Sequence, residues 1–215
     1  MYNPGVTQGF QISRDRAQLE RVAQAFGRTL TAQELAALGQ FLELVTTWNA
    51  KLDLTAARET QQLVEVMLWD SFVLAGGDVI AAESRCVDVG SGAGAPALPF
   101  ALLRADVKLT LVESLRKRVA FLRTAVGALG LVGRVVVVER KLDVAAPDVA
   151  GAPFDVAMSR ATFAPELWLR VGMKLAPSVV VMLAGQDAPE GRVEKSVEYA
   201  LPNGAPRRLV VYARH

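Results

Sequence analysis

The chain has 215 residues, a hydrophobic share of 52% and a formal net charge of +2. These values make disorder not the default and allow one substantial core with a small annex. No apolar run approaches the roughly 20 residues that span a bilayer. One cysteine, Cys86, rules out an internal disulfide, and with the one histidine at position 215 no zinc cluster is expected. A chain without disulfides fits a reducing compartment, and MYNPGVTQGFQISRDR lacks the basic-then-apolar order of a secretory signal. A cytoplasmic location is the expectation.

In chain order, a first helix is expected from Arg14 to Phe26. In the segment after Thr31, residues Leu35, Leu38, Leu42, Val45 and Trp48 recur at steps of three and four, which marks one apolar helix face. Thr31 and Glu34 form a capping-box pair at its start. A third helix is expected from Glu59 to about Ala75, ended by Gly76-Gly77.

From residue 85 the pattern alternates. Strands are predicted at 85–89, 107–112, 134–139, 154–158 and 178–183, with helices near 95–104, 115–129 and 165–175. That alternation implies a parallel sheet with helices on both faces. The last two β-type runs, on either side of Asn203-Gly204, predict a closing antiparallel pair. The expected fold is the Rossmann-like α/β sheet of class I S-adenosylmethionine-dependent methyltransferases, with residues 1–84 as a helical segment packed on a core of residues 85–215. Charge follows the same division: residues 1–85 carry 7 basic and 10 acidic side chains, residues 86–215 carry 17 and 12. The basic surplus on the core permits an anionic partner without demanding one.

The stretch CVDVGSGAGAP, residues 86–96, carries the strongest chemical signal. A strand that ends in Gly90, Gly92 and Gly94 and then enters a helix turns sharply and exposes bare backbone to a ligand. Pro96 suits the first helical turn. Glu113, 23 positions after Gly90, falls at the end of the second strand, where a carboxylate accepts hydrogen bonds from ribose hydroxyls. The turn alone does not exclude a dinucleotide, because Ala95 is an allowed variant of its last glycine. A single α/β unit and the antiparallel ending favour a methyl donor.

Several blocks resemble one family, the bacterial 16S rRNA guanine-N7 methyltransferases once called glucose-inhibited division protein B. They are WNAKLDLTAARE at 48–59, WDS at 69–71, VGSGAGAPALP at 89–99, ESLRKRVAFLR at 113–123, FDVAMSRA at 154–161 and RRLVVYA at 207–213. The resemblance runs over about residues 30–213. It implies S-adenosylmethionine as cofactor and 16S rRNA or the small ribosomal subunit as partner, with no metal and no membrane. It implies cofactor contacts at Gly90 and Ala95, at the ribose-facing Glu113, at Lys141 and Leu142 beside the adenine, and at Arg160; Ser91, Gly92 and Gly94 complete the cofactor turn expected from the glycine motif itself. This sequence departs from the family pattern at Asp53, Val66, Met67, Leu142 and Ala184, with Asp143 offered as a substitute for the adenine-side glutamate. A diverged paralogue acting on a small molecule or protein, or a nucleoside-binding module without catalysis, are the alternatives.

Guanine N7 carries a lone pair and no proton, so its methylation requires no general base and no covalent nucleophile, and no catalytic residue of either kind is expected. Other residues have two readings. Arg116, Lys117, Arg118 and Arg123 are RNA-phosphate contacts or the solvated face of a helix capped by Ser114. Trp48 is core packing or a stacking surface. Asp70 bonds the glycine turn or orients Ser71. Arg160 serves the site or pairs with Asp155 or Glu166, and Arg207 and Arg208 guard an edge strand.

Overall fold

A computed structural model describes residues 10–76 and 79–214. Residues 1–9, Gly77, Asp78 and His215 lie outside the described residues. Three helices, α1 (Ile12–Ala25), α2 (Ala32–Leu52) and α3 (Thr60–Ala75), precede β1 (Arg85–Val89). There follow α4 (Ala97–Leu103), β2 (Lys108–Glu113), α5 (Arg116–Ala128), β3 (Val135–Glu139), β4 (Val156–Ser159), α6 (Pro165–Leu175), β5 (Ser178–Leu183), β6 (Val193–Ala200) and β7 (Pro206–Ala213).

The strands form one sheet in the order β3-β2-β1-β4-β5-β7-β6. β1 to β5 run parallel; β7 is antiparallel to β5 and β6 antiparallel to β7. The class I methyltransferase sheet expected from the alternation is present, with its antiparallel ending. β7 is inserted between β5 and β6, so the edge is β6. Arg207 and Arg208 therefore do not guard an edge; Arg208 pairs with Glu198 on β6 at 3.2 Å.

Alternation along the strands divides the core. On β1, Cys86 faces a cluster that includes Leu19, Leu38, Leu68, Leu98 and Phe121 from α1 to α5. Val87 and Val89 point the other way, toward Trp168 and Leu169 of α6. Phe41, Phe100 and Phe121 are fully enclosed, and burial of each such side chain contributes about 1.5–3 kcal/mol.

The helical segment is fixed by local and long-range polar contacts. The Thr31 hydroxyl accepts the Glu34 N–H at 3.1 Å and Glu34 accepts the Thr31 N–H at 2.8 Å, the reciprocal cap predicted. Arg28 pairs with Glu34 and donates to the Leu103 carbonyl of α4 at 3.1 Å. Trp48 is half-buried and meets Phe121 edge-on at 5.7 Å, so it packs against the core as one of its two readings expects. Pro96 stands at the N-cap of α4, one place before the helix, and its carbonyl accepts the Ser71 hydroxyl at 3.0 Å. Among the described residues no helix is long and apolar enough to cross a membrane.

Candidate active site

β1 lies between β2 and β4, the point at which successive connections depart to opposite sides of the sheet. Crevices at the carboxyl ends of strands form at such a point. Here Gly90, Gly92 and Gly94 all take left-handed backbone, φ 78°, 54° and 79°. A side chain on Gly90 would overlap the side chain of Thr162, which reaches over from the loop after β4. At Gly92 the nearest atom to an added Cβ is the Gly90 carbonyl at 3.8 Å, so only its conformation demands glycine.

Glu113 ends β2 and is buried. One carboxylate oxygen accepts the Gly92 N–H at 2.9 Å; the other accepts the N–H groups of Ser114 and Leu115 at 2.7 and 2.9 Å. A charged acceptor with three donors ties the glycine turn to the start of α5. The expected Ser114 cap is therefore corrected: the N-cap position is Leu115, without a side-chain bond of its own, and Glu113 takes the free N–H groups.

Asp88, two places before Gly90, is buried in β1. Its Oδ2 has no hydrogen-bond partner among the protein atoms. Burial pushes its carboxyl up to about 6, against the opposing pull of Ser91 and Arg160. Cys86, on the same side of β1, is inert for a different reason: burial pushes its thiol up to about 12, leaving no thiolate at neutral pH.

A cavity of about 590 Å³ opens beside this turn, lined by Gly90, Val112, Lys141, Leu142, Asp143 and Thr162 among others. Three of the residues expected to contact the cofactor (Gly90, Lys141 and Leu142) thus meet at one cavity, although Lys141 and Leu142 follow β3 and lie some 50 positions along the chain. Asp143 also lines it; its carboxylate accepts the Ala145 N–H at 2.9 Å and shapes the loop. Ser91, Gly92 and Gly94 build the turn behind the wall. Ala95 is buried in the core on the helical side.

Arg160, at the end of β4, does not reach this cavity. Its Nη1 donates to the Val66 carbonyl at 2.7 Å and to Asp70 at 3.1 Å. The other Asp70 oxygen accepts the Tyr199 hydroxyl at 2.7 Å. Burial, then the Asp70 charge, raises the Tyr199 phenol far above its ordinary value, so it remains a donor. Asp70 is thus the partner of Arg160, in place of Asp155 or Glu166, and neither reading of Asp70 from the sequence holds. Asp155 instead accepts the Arg85 N–H at 2.7 Å. The adjacent Trp69 donates its indole N–H to the Ala200 carbonyl at 3.0 Å, a second tie between α3 and β6.

The sequence reading passed over Asp88, Thr162, Phe163 and Tyr199. Asp88 had a visible signal, a lone acid in a run of apolar strand residues. The other three had none, because their roles depend on which loops meet. Of the departures from the family pattern, Val66 and Ala184 line a second cleft beside Arg160, Met67 is core, and Asp53 ends α2 in left-handed backbone. Arg116, Lys117 and Arg123 are exposed on α5.

Residues 34–200 match the family described as rRNA small subunit methyltransferase G, known as GidB. The chain belongs to this family. It is 34% identical over 180 residues to the ribosomal RNA small subunit methyltransferase G of Sorangium cellulosum, covering 82% of this chain and 74% of that one. Identity to the protein of the same name from Streptococcus sanguinis is 30% over 206 residues, covering 86% and 85%. Among solved structures, M. capricolum TrmK in complex with S-adenosyl-homocysteine aligns with a TM-score of 0.55 at 10% identity, over 70% of each chain. That likeness concerns the fold. The GidB match takes in α2 to β6 and so holds both the glycine turn and the Asp70–Arg160–Tyr199 cluster.

Proposed function

We propose that this protein is a cytoplasmic S-adenosylmethionine-dependent methyltransferase that modifies N7 of a guanine in 16S rRNA. The observation that carries the reading is the GidB match over residues 34–200, a span that includes the glycine turn and the cavity beside it. The residues there fit an adenosyl-bearing donor. Gly90 brings backbone to the cavity wall and Leu142 an apolar surface, while Glu113 at the end of β2 and Asp88, with a buried oxygen without a partner, stand beside the turn without lining the cavity. When bound, the donor supplies an electrophilic methyl group on a sulfonium.

In this reading Gly90, Ser91, Gly92, Gly94 and Ala95 form and support the turn against which the donor lies. Glu113 faces the ribose, Lys141 and Leu142 flank the adenine, and Arg160 braces the far side. The protein's task is alignment and exclusion of water. No side chain must remove a proton from N7, and Cys86 supplies no nucleophile. A strain lacking the rRNA enzyme, complemented with this chain and probed by primer extension, tests the proposal. Restoration of the stop at the methylated guanine is expected; none with well-expressed protein would overturn the rRNA assignment.

A second reading, a different acceptor, is favoured by one observation. Val66 and Ala184, where this chain departs from the family pattern, both line the cleft beside Arg160.

A further inference from the structure

Beside the donor cavity lies a second cleft of about 340 Å³, bounded by Val66 and Asp70 of α3, Phe163 after β4, Met182 of β5, Ala184 and Tyr199. Arg160, Gln186 and Arg207 add polar groups to its wall. Phe163 is the one residue that lines both this cleft and the donor cavity. Its ring is fixed from behind by Trp168, stacked at 5.7 Å and 12°. Trp168 is itself buried, and its indole N–H donates to the Val180 carbonyl at 2.8 Å. One face of Phe163 is thus held, and the side chain remains half-exposed.

We propose that this cleft receives a single nucleotide drawn out of folded RNA, its purine stacked on Phe163 and its phosphate toward Arg207. The inference rests on the methyltransferase reading and assigns the acceptor half of the same site. Direct displacement requires the accepting atom to reach the methyl without an intermediate carrier, so the acceptor must enter from a space that shares a wall with the donor cavity. Only Phe163 provides that wall among the cavities described. The cleft is small, at the low end of ligand-pocket size, and suits one base and its sugar rather than a duplex. The wall is apolar around Phe163 and Met182, which suits a flat base; of its two arginines Arg160 is paired with Asp70, and Arg207, with Glu65 also in the lining, is the cation left to face a phosphate. Enzymes that modify a base commonly take it out of its stack in this way. Asp70 holds the Arg160 side of the wall in place through its bonds to Arg160 and Tyr199.

The test uses the whole chain saturated with S-adenosylhomocysteine. Guanosine monophosphate is titrated to millimolar concentration while backbone amides are followed by NMR. Shifts are expected at residues 160–165 and 182–186. Ala184→Trp, at an exposed position that fills the cleft, removes those shifts and leaves S-adenosylhomocysteine affinity within about threefold by calorimetry. Phe163→Ala weakens nucleotide binding by about tenfold, the scale of a lost stacking surface. Shifts confined to residues 90–95 and 141–144, none at all, or an equal loss of both ligands in Ala184→Trp would overturn the assignment. A protein that binds the nucleotide in the cleft but leaves small subunits unmethylated retains the cleft and loses the rRNA reading instead.

Discussion

The cavity at the glycine turn and the second cleft are assembled on different principles. The turn side is mostly backbone: a turn in left-handed conformation, held by N–H groups that converge on Glu113, with a neighbouring loop closing over it. The cleft side is side chains from α3, β4, β5 and β6, joined by an aspartate whose partners lie 90 and 129 positions away. Backbone geometry tolerates few substitutions yet is written in a short motif. Side-chain clusters can be rebuilt one position at a time: the Val66 and Ala184 departures fall on that side, and Leu142, the departure in the first cavity, is likewise a side chain of a loop and not part of the turn.

Five substitutions break or sharpen this contrast. Gly90→Val is expected to have the largest effect: it adds a branched side chain in left-handed backbone against Thr162. S-adenosylmethionine affinity by calorimetry falls at least ~100-fold, about 3 kcal/mol. Retained affinity would refute the placement of the donor at this turn. Gly92→Val, with open space at its Cβ, costs less, and its cost is conformational.

Next is Glu113→Gln, which sets an amide against three N–H donors. A stability loss of about 2 kcal/mol in urea denaturation is expected, with donor affinity reduced in parallel. An unaltered midpoint would show that the turn holds its shape without the carboxylate.

Asp88→Asn is read through pH. The folded protein holds the Asp88 proton up to about pH 6, against an ordinary value of 3.8. The group's contribution to stability is therefore full below pH 3.8 and is lost as pH rises past 6. The variant is expected to be more stable than the parent by about 1–3 kcal/mol at pH 7.5 and equal to it near pH 4. Chemical denaturation at the two pH values checks the sign; a variant less stable at pH 7.5 would show that the carboxylate is satisfied in the fold.

Tyr199→Phe is the mildest. It removes one hydrogen bond to Asp70 and costs about 1 kcal/mol by thermal or urea unfolding. S-adenosylmethionine affinity is expected to stay within about threefold. A larger loss would mean that the two sides of the site are coupled.

Much of the fold was legible because it is local. The apolar steps through Leu35, Leu38 and Leu42, the Thr31–Glu34 cap and the alternation from residue 85 each act within a few residues. The antiparallel ending was legible from Asn203-Gly204, but the insertion of β7 beside β5 was not, since strand order depends on long-range packing. At the candidate site, the positions of the turn and of Glu113 at the end of β2 could be read directly, and the family pattern pointed to Lys141 and Leu142, which line the cavity beside the turn. The Asp70–Arg160 pair could not, because nothing near either residue names the other. The same holds for Ser114, whose expected capping role Glu113 takes by reaching forward from the strand end.

The sequence by itself determined the class of sheet, the backbone turn after β1, the acid at the end of β2 and membership of a methyltransferase family. Those are encoded in runs of a few residues, where steric limits on φ and the period of apolar side chains leave little choice. The tertiary structure alone decided that Asp70 pairs with Arg160 and Tyr199, that Thr162 covers Gly90, and that Phe163 separates two cavities. These arrangements arise where distant segments are brought together by burial of a common core, and the separation along the chain hides them until it folds.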